Sequence, residues 1–161
     1  MNNKEPKVFI TMDGNTLLAK EFEPVRFSVE KILPHGLFIL AGSPKIGKSW
    51  LSLDLCRTVA TGGSLWDFHA EQGDVLYLAL EDNYNRLHNR LKQMEAENLD
   101  IFRLHLATAS FGIQNGLLEQ IHNFVAVNPG TTLIAIDALE YIRNNEQTSK
   151  LYSCDYRDMN F

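Results

Sequence analysis

Eight residues, Gly42-Ser43-Pro44-Lys45-Ile46-Gly47-Lys48-Ser49, constrain this chain more than anything else in it. They match G-x-x-x-x-G-K-[ST] at every fixed position. The glycines let the backbone curl so that successive N–H groups point inward, the arrangement that holds phosphate oxygens. Lys48 has the length to reach the β and γ oxygens of a triphosphate, and the Ser49 hydroxyl suits Mg²⁺. The context agrees. The apolar run Leu37-Phe38-Ile39-Leu40-Ala41 leads in, and a segment with helical spacing leads out, its positive end aimed at the same phosphates. ATP with Mg²⁺ is the expected ligand pair. The expected binding stretch is 42–49 together with Trp50, the next residue of the helix. Lys45 holds a free position of the pattern and is expected to face solvent.

A loop of this kind needs a sheet behind it. Three more apolar runs follow: Val75-Leu76-Tyr77-Leu78-Ala79-Leu80, Leu104-His105-Leu106-Ala107 and Leu133-Ile134-Ala135-Ile136. Most are apolar on both faces, as strands are in a sheet covered on both sides. Helical spacing fills the gaps. Residues 48–61 set Leu51, Leu55, Val59 and Ala60 to one side and stop at Gly62-Gly63. Residues 84–97 carry Leu87, Leu91 and Met94, with Asp82 or Asn83 as cap. Residues 117–127 carry Leu117, Leu118, Ile121 and Val125 and stop before Pro129-Gly130. Alternating strands and helices predict an α/β fold with a mainly parallel sheet flanked by helices. Residues 1–35 read as a lead-in with a short strand at 8–11, and 36–161 as the core.

A triphosphate site also needs acids to hold magnesium and to activate water. Leu133-Ile134-Ala135-Ile136-Asp137 is an apolar strand ending in an acid, which makes Asp137 the expected metal ligand beside Ser49. The alternative is a strand-end Asp that caps the next turn. Leu80-Glu81-Asp82 ends another strand, and Glu81 is the expected general base, with Asp82 as a helix cap. With Lys48, Glu81 makes up the expected catalytic pair.

The chain has 161 residues, 45% of them hydrophobic, enough for one good core. No stretch approaches the roughly 20 apolar residues of a membrane span. The polar start, Met1-Asn2-Asn3-Lys4-Glu5-Pro6, lacks the apolar middle of a secretory signal, so a cytoplasmic setting is expected. Cys56 and Cys154 then read as reduced thiols, and five scattered histidines predict no structural zinc. A formal net charge of −5 argues against a broad basic face gripping a duplex. Trp50 and Trp66 read as packing residues more than as readers of a base.

Taken together, the loop 42–49, the strand ending in Glu81-Asp82, the strand Leu133-Ile134-Ala135-Ile136-Asp137-Ala138-Leu139, the run Glu140-Tyr141-Ile142-Arg143 and the later Asp155-Tyr156 resemble the RepA-like branch of RecA-type P-loop ATPases. These are helicase-like proteins carried largely by plasmids and phages. The resemblance runs from about Val29 onward. It implies ATP hydrolysis coupled to DNA replication work, a homo-oligomeric ring and single-stranded DNA or a replication partner. It also implies Lys48 and Ser49 at the phosphates, Glu81 as catalytic glutamate and Asp137 as Walker B acid. Arg143 falls on a family position, read equally as a site or subunit contact and as a surface salt bridge.

The sequence departs from that pattern after Asp155-Tyr156. The family continues with a helix and a strand that lies between the Walker A and Walker B strands. Here Phe161 is the last residue, so the chain reads either as a truncated core lacking its last strands, the favoured expectation, or as a core whose missing strand a partner supplies. Two other functions compete with the motor. One is a nucleotide-gated regulatory module that moves no DNA. The other is a small-molecule kinase, disfavoured because Arg86, Arg90 and Lys92 read as a solvated helix face and not as a lid.

Overall fold

The computed structural model describes residues 9–143. The lead-in departs from expectation. Residues 9–11 form no strand, and a short helix, α1 (Gly14–Leu18), follows them. Its cap is Asp13, whose Oδ1 accepts the N–H groups of Asn15 and Thr16 at 3.0 Å each. Then β1 (Phe27–Val29) and β2 (Leu33–Pro34) pair antiparallel.

The helix leaving the loop, α2 (Lys48–Thr61), keeps the expected bounds. Gly47 at its start and Gly62 after its end both take positive φ, 99° and 66°, which a side chain would strain. Its buried stripe matches the expected one at Val59 and Ala60 and differs at its start. Leu53, Cys56, Val59 and Ala60 are fully buried, while Leu51 and Leu55 pack on the flank. The 3.6-residue period allows either stripe, and the direction of docking on the sheet selects between them.

A tight hairpin follows, β3 (Ser64–Leu65) and β4 (Phe68–His69), turning through Trp66 and Asp67. Trp66 takes φ 52° and is 70% exposed, so it is not the packing residue expected. The central strand is β5 (Asp74–Ala79). Next comes α3 (Tyr84–Gln93), capped by Asn83, whose Oδ1 accepts the Arg86 N–H at 2.9 Å. It ends short of residue 97. Glu95 turns left-handed at φ 55°, and a 3₁₀ turn, Ala96–Asn98, buries Ala96.

The remaining elements are β6 (Leu104–Ala107), α4 (Leu117–Val127), β7 (Thr131–Asp137) and α5 (Leu139–Arg143). The main sheet has the order β6-β5-β7, with both pairings parallel. Side chains alternate along β5. Val75, Tyr77 and Ala79 face the cluster with Leu53, Cys56 and Val59 of α2, while Leu76, Leu78 and Leu80 face Leu117 and Ile142. Both faces are covered, which explains the unbroken apolar run. The fold is α/β, a parallel sheet flanked by helices, as expected.

One expected strand is not formed. Residues 37–41 make no sheet hydrogen bonds, and Leu37, Phe38, Ile39 and Leu40 are 53–96% exposed. In the arrangement implied by the resemblance, another strand stands between this segment and β7. Among the described residues nothing occupies that place. An apolar pattern makes a segment fit to be a buried strand, but its backbone still needs a neighbour. No helix among the described residues is long and apolar enough to cross a membrane.

Candidate functional site

Parallel strands end on one edge, and the candidate residues gather there. Ala79, the last residue of β5, stands opposite Asp137, the last of β7. The Leu80 N–H donates to the Asp137 carbonyl at 2.6 Å, so the two strand ends are tied. Glu81 and Asp82 lie just beyond.

The loop 42–49 enters at the head of α2. Lys45 takes φ 64° and is exposed, facing solvent as expected. The Lys48 ammonium folds back over the loop and donates to the carbonyls of Gly42 and Ser43 at 3.0 and 2.9 Å. Gly47 caps α2 without a side chain, which leaves the helix's first N–H groups to whatever anion the loop meets.

Tyr77 joins the loop's helix to the acid. Leu133 and Ala135 of β7 pack on the α2 side of the sheet, so a period of two places Asp137 there as well. Tyr77, wholly buried on the same side, donates its hydroxyl to Asp137 Oδ2 at 2.8 Å. The Tyr77 hydroxyl oxygen also lies 3.5 Å from the Ser49 carbonyl oxygen. Burial, with the Asp137 charge second, holds the phenol proton far above its ordinary pKa. The same two causes push up the buried Cys56 thiol, which makes it an inert packing group.

Glu81 has company that sequence reasoning missed. Its carboxyl pKa is raised by partial burial first, then by the charges of Asp137 and Glu140 and by a side-chain hydrogen bond with Glu140. Glu140, at the start of α5, is thus a further acid at this edge.

Asp82 is not the expected cap, a place Asn83 takes. It is an ion-pair centre, its side chain only 7% exposed, with Arg86 Nε at 2.6 Å and Arg90 Nη1 at 2.5 Å. Arg86 also donates to the Glu81 carbonyl at 2.6 Å, and the Arg90 guanidinium stands 5.6 Å from the Trp50 ring centre. The expected solvated face holds for Arg86 and for Lys92, which pairs with Glu97 at the surface, whereas Arg90 is largely enclosed. Arg86 and Arg90 hold the Glu81-Asp82 turn, and Trp50 packs under one of them.

A family model described as an AAA domain matches residues 5–150, nearly the whole chain. The chain belongs to the AAA domain family. It is accordingly a nucleotide-binding P-loop ATPase in general type. Neither the curated proteins nor the solved structures contain a match to it.

Magnesium is what such a family typically uses, and the donors of this AAA domain suit it. A serine hydroxyl and a carboxylate are hard oxygen ligands. Among the described residues, no three His, Cys, Asp or Glu side chains gather into a cage. Of the residues missed, Tyr77 left a trace in the sequence as the one polar tip inside an apolar run. Glu140 left none. Arg143 ends α5 on the surface, and Asp155 and Tyr156 lie outside the described residues.

Proposed function

We propose that this AAA domain binds and hydrolyses ATP with Mg²⁺, and that it belongs to the RepA-like, RecA-type branch, coupling hydrolysis to work on DNA in the intact protein. One observation carries the reading. The loop's helix and the strand-end acid Asp137 are linked through Tyr77, and the candidate base Glu81 lies just beyond the same sheet edge.

In this reading Lys48 exchanges its loop carbonyls for the β and γ oxygens, and the amides of 42–49 hold the rest of the triphosphate. Ser49 and Asp137 hold magnesium, which neutralises charge on the phosphates when bound. Glu81 takes the proton of the attacking water. Its raised proton affinity, from partial burial and from neighbouring acids, brings it nearer the working pH of a base. A homo-oligomeric ring and single-stranded DNA as partner are proposed on the resemblance of the motifs alone.

The formal net charge of −5 favours a second reading, a nucleotide-gated regulatory module without motor action. ATP turnover measured with and without single-stranded DNA, in the wild type and in Glu81→Gln, separates the two. DNA stimulation that Glu81→Gln abolishes, with binding kept, supports the motor. Turnover indifferent to DNA supports the module, and normal turnover in Glu81→Gln removes Glu81 as base.

A further inference from the structure

We propose that Tyr77 is a positioning residue for the metal, aiming one oxygen of Asp137 by engaging the other. The inference rests on the reading of Asp137 as a magnesium ligand and adds to it a residue to which none of the motifs assigns a role.

Tyr77 sits in the middle of β5 and is wholly enclosed, with Val75 and Ala79 on its own face and α2 above it. A phenylalanine would fill nearly the same space, so packing alone gives the hydroxyl no purpose. That hydroxyl has a single proton and two oxygens near it. The Asp137 carboxylate at 2.8 Å is in hydrogen-bond range with good reach, whereas the Ser49 carbonyl at 3.5 Å is at the limit. The proton therefore goes to Asp137 Oδ2, a charge-assisted bond.

Two consequences follow for Asp137. Oδ2 is occupied, which leaves Oδ1 to face a cation or its water shell, and the carboxylate loses its freedom to rotate. Mg²⁺ demands near-octahedral geometry and tolerates misaimed donors poorly. Outer partners that fix a ligand's direction typically change metal affinity by about 10- to 100-fold. Tyr77 also stands against the first turn of α2, so the oxygen it aims is set relative to the helix that carries Ser49.

The test is Tyr77→Phe in the full chain. Mn²⁺ replaces Mg²⁺ as a spectroscopic probe, its binding to the protein–nucleotide complex followed by electron paramagnetic resonance. Affinity for a fluorescent ATP analogue is measured with the metal and in chelator. Tyr77→Phe is expected to weaken Mn²⁺ binding by roughly tenfold and to leave nucleotide affinity in chelator within twofold of wild type. Unchanged Mn²⁺ affinity overturns the proposal. So does an equal loss with and without metal, which would mark a purely structural role.

Asp137→Asn separates failure of this proposal from failure of the reading beneath it. If Asp137→Asn leaves Mn²⁺ affinity intact, Asp137 is no metal ligand. If it weakens Mn²⁺ binding while Tyr77→Phe does not, only the Tyr77 assignment falls. In the double variant, Tyr77→Phe should cost nothing beyond Asp137→Asn, because the carboxylate to be aimed is already gone. A full additional loss there would also count against positioning.

Discussion

Residues 75–80 and 37–41 are nearly interchangeable in composition, yet one is the centre of the sheet and the other lies on the surface. Tyr77 and Val75 are wholly buried, whereas Leu37 is 96% exposed. The strand β5 has a parallel neighbour on each side and a helix-covered core on each face. Residues 37–41 have neither. Apolar composition is therefore a capacity for burial, and backbone partners decide whether it is used. Each run nonetheless leads to candidate site residues at its end: the first to Glu81, the second to the loop 42–49.

The contrast can be broken by placing a charge in each run. Leu78→Asp buries a carboxylate without a partner and should cost about 3–5 kcal/mol or more, enough to threaten a marginally stable domain. Ile39→Asp should stay within about 0.5 kcal/mol, as surface substitutions do. Urea unfolding of both variants checks this, and a large loss from Ile39→Asp would show that 37–41 is packed in solution. Next in size, Lys48→Ala should weaken ATP binding by roughly tenfold or more, since it removes a charge-assisted contact. Titration with a fluorescent nucleotide reads it, and unchanged affinity would remove the phosphate-loop assignment.

The smallest effect concerns the end of the 75–80 run. Partial burial, Asp137 and Glu140 together raise the Glu81 pKa. As a base, Glu81 must be ionised, so turnover should fall as pH drops through a value above the ordinary carboxylate range. Glu140→Gln removes one negative charge and a hydrogen bond that favours the protonated form, and the acid limb should move to lower pH without reaching the ordinary range. A limb that stays in place would mean that Glu81 does not set it. For stability the sign is opposite to that of a salt-bridged acid. A raised pKa favours the folded state at low pH, and that contribution is lost as pH rises through it.

Much of the fold was legible because punctuation marks it. The bounds of α2 follow from glycines at 47 and 62 that alone take positive φ cheaply. The end of α3 was misread because Glu95, an ordinary helix former, turns left-handed so that Ala96 can be buried. The hairpins β1–β2 and β3–β4 escaped notice, being strands of two or three residues with too few positions to show a period. At the site, the loop and the strand-end acids are local patterns and were readable. Tyr77 reaching Asp137, Arg90 reaching Asp82 and Glu140 reaching Glu81 join residues distant in sequence or separated by a turn. Spacing along a chain says nothing about which side chains meet across a sheet edge.

The hold of Lys48 on its own loop has one more consequence. Its ammonium already has two neutral carbonyl partners in Gly42 and Ser43. Capturing a ligand is then a substitution of acceptors, and only one more strongly charged than a peptide oxygen gains by it. Neutral sugars and bases are turned away by the same arithmetic that admits a phosphate. In the proposed reading the loop thus screens for anions before any residue reads the rest of the molecule, and that screen weakens as salt supplies competing anions.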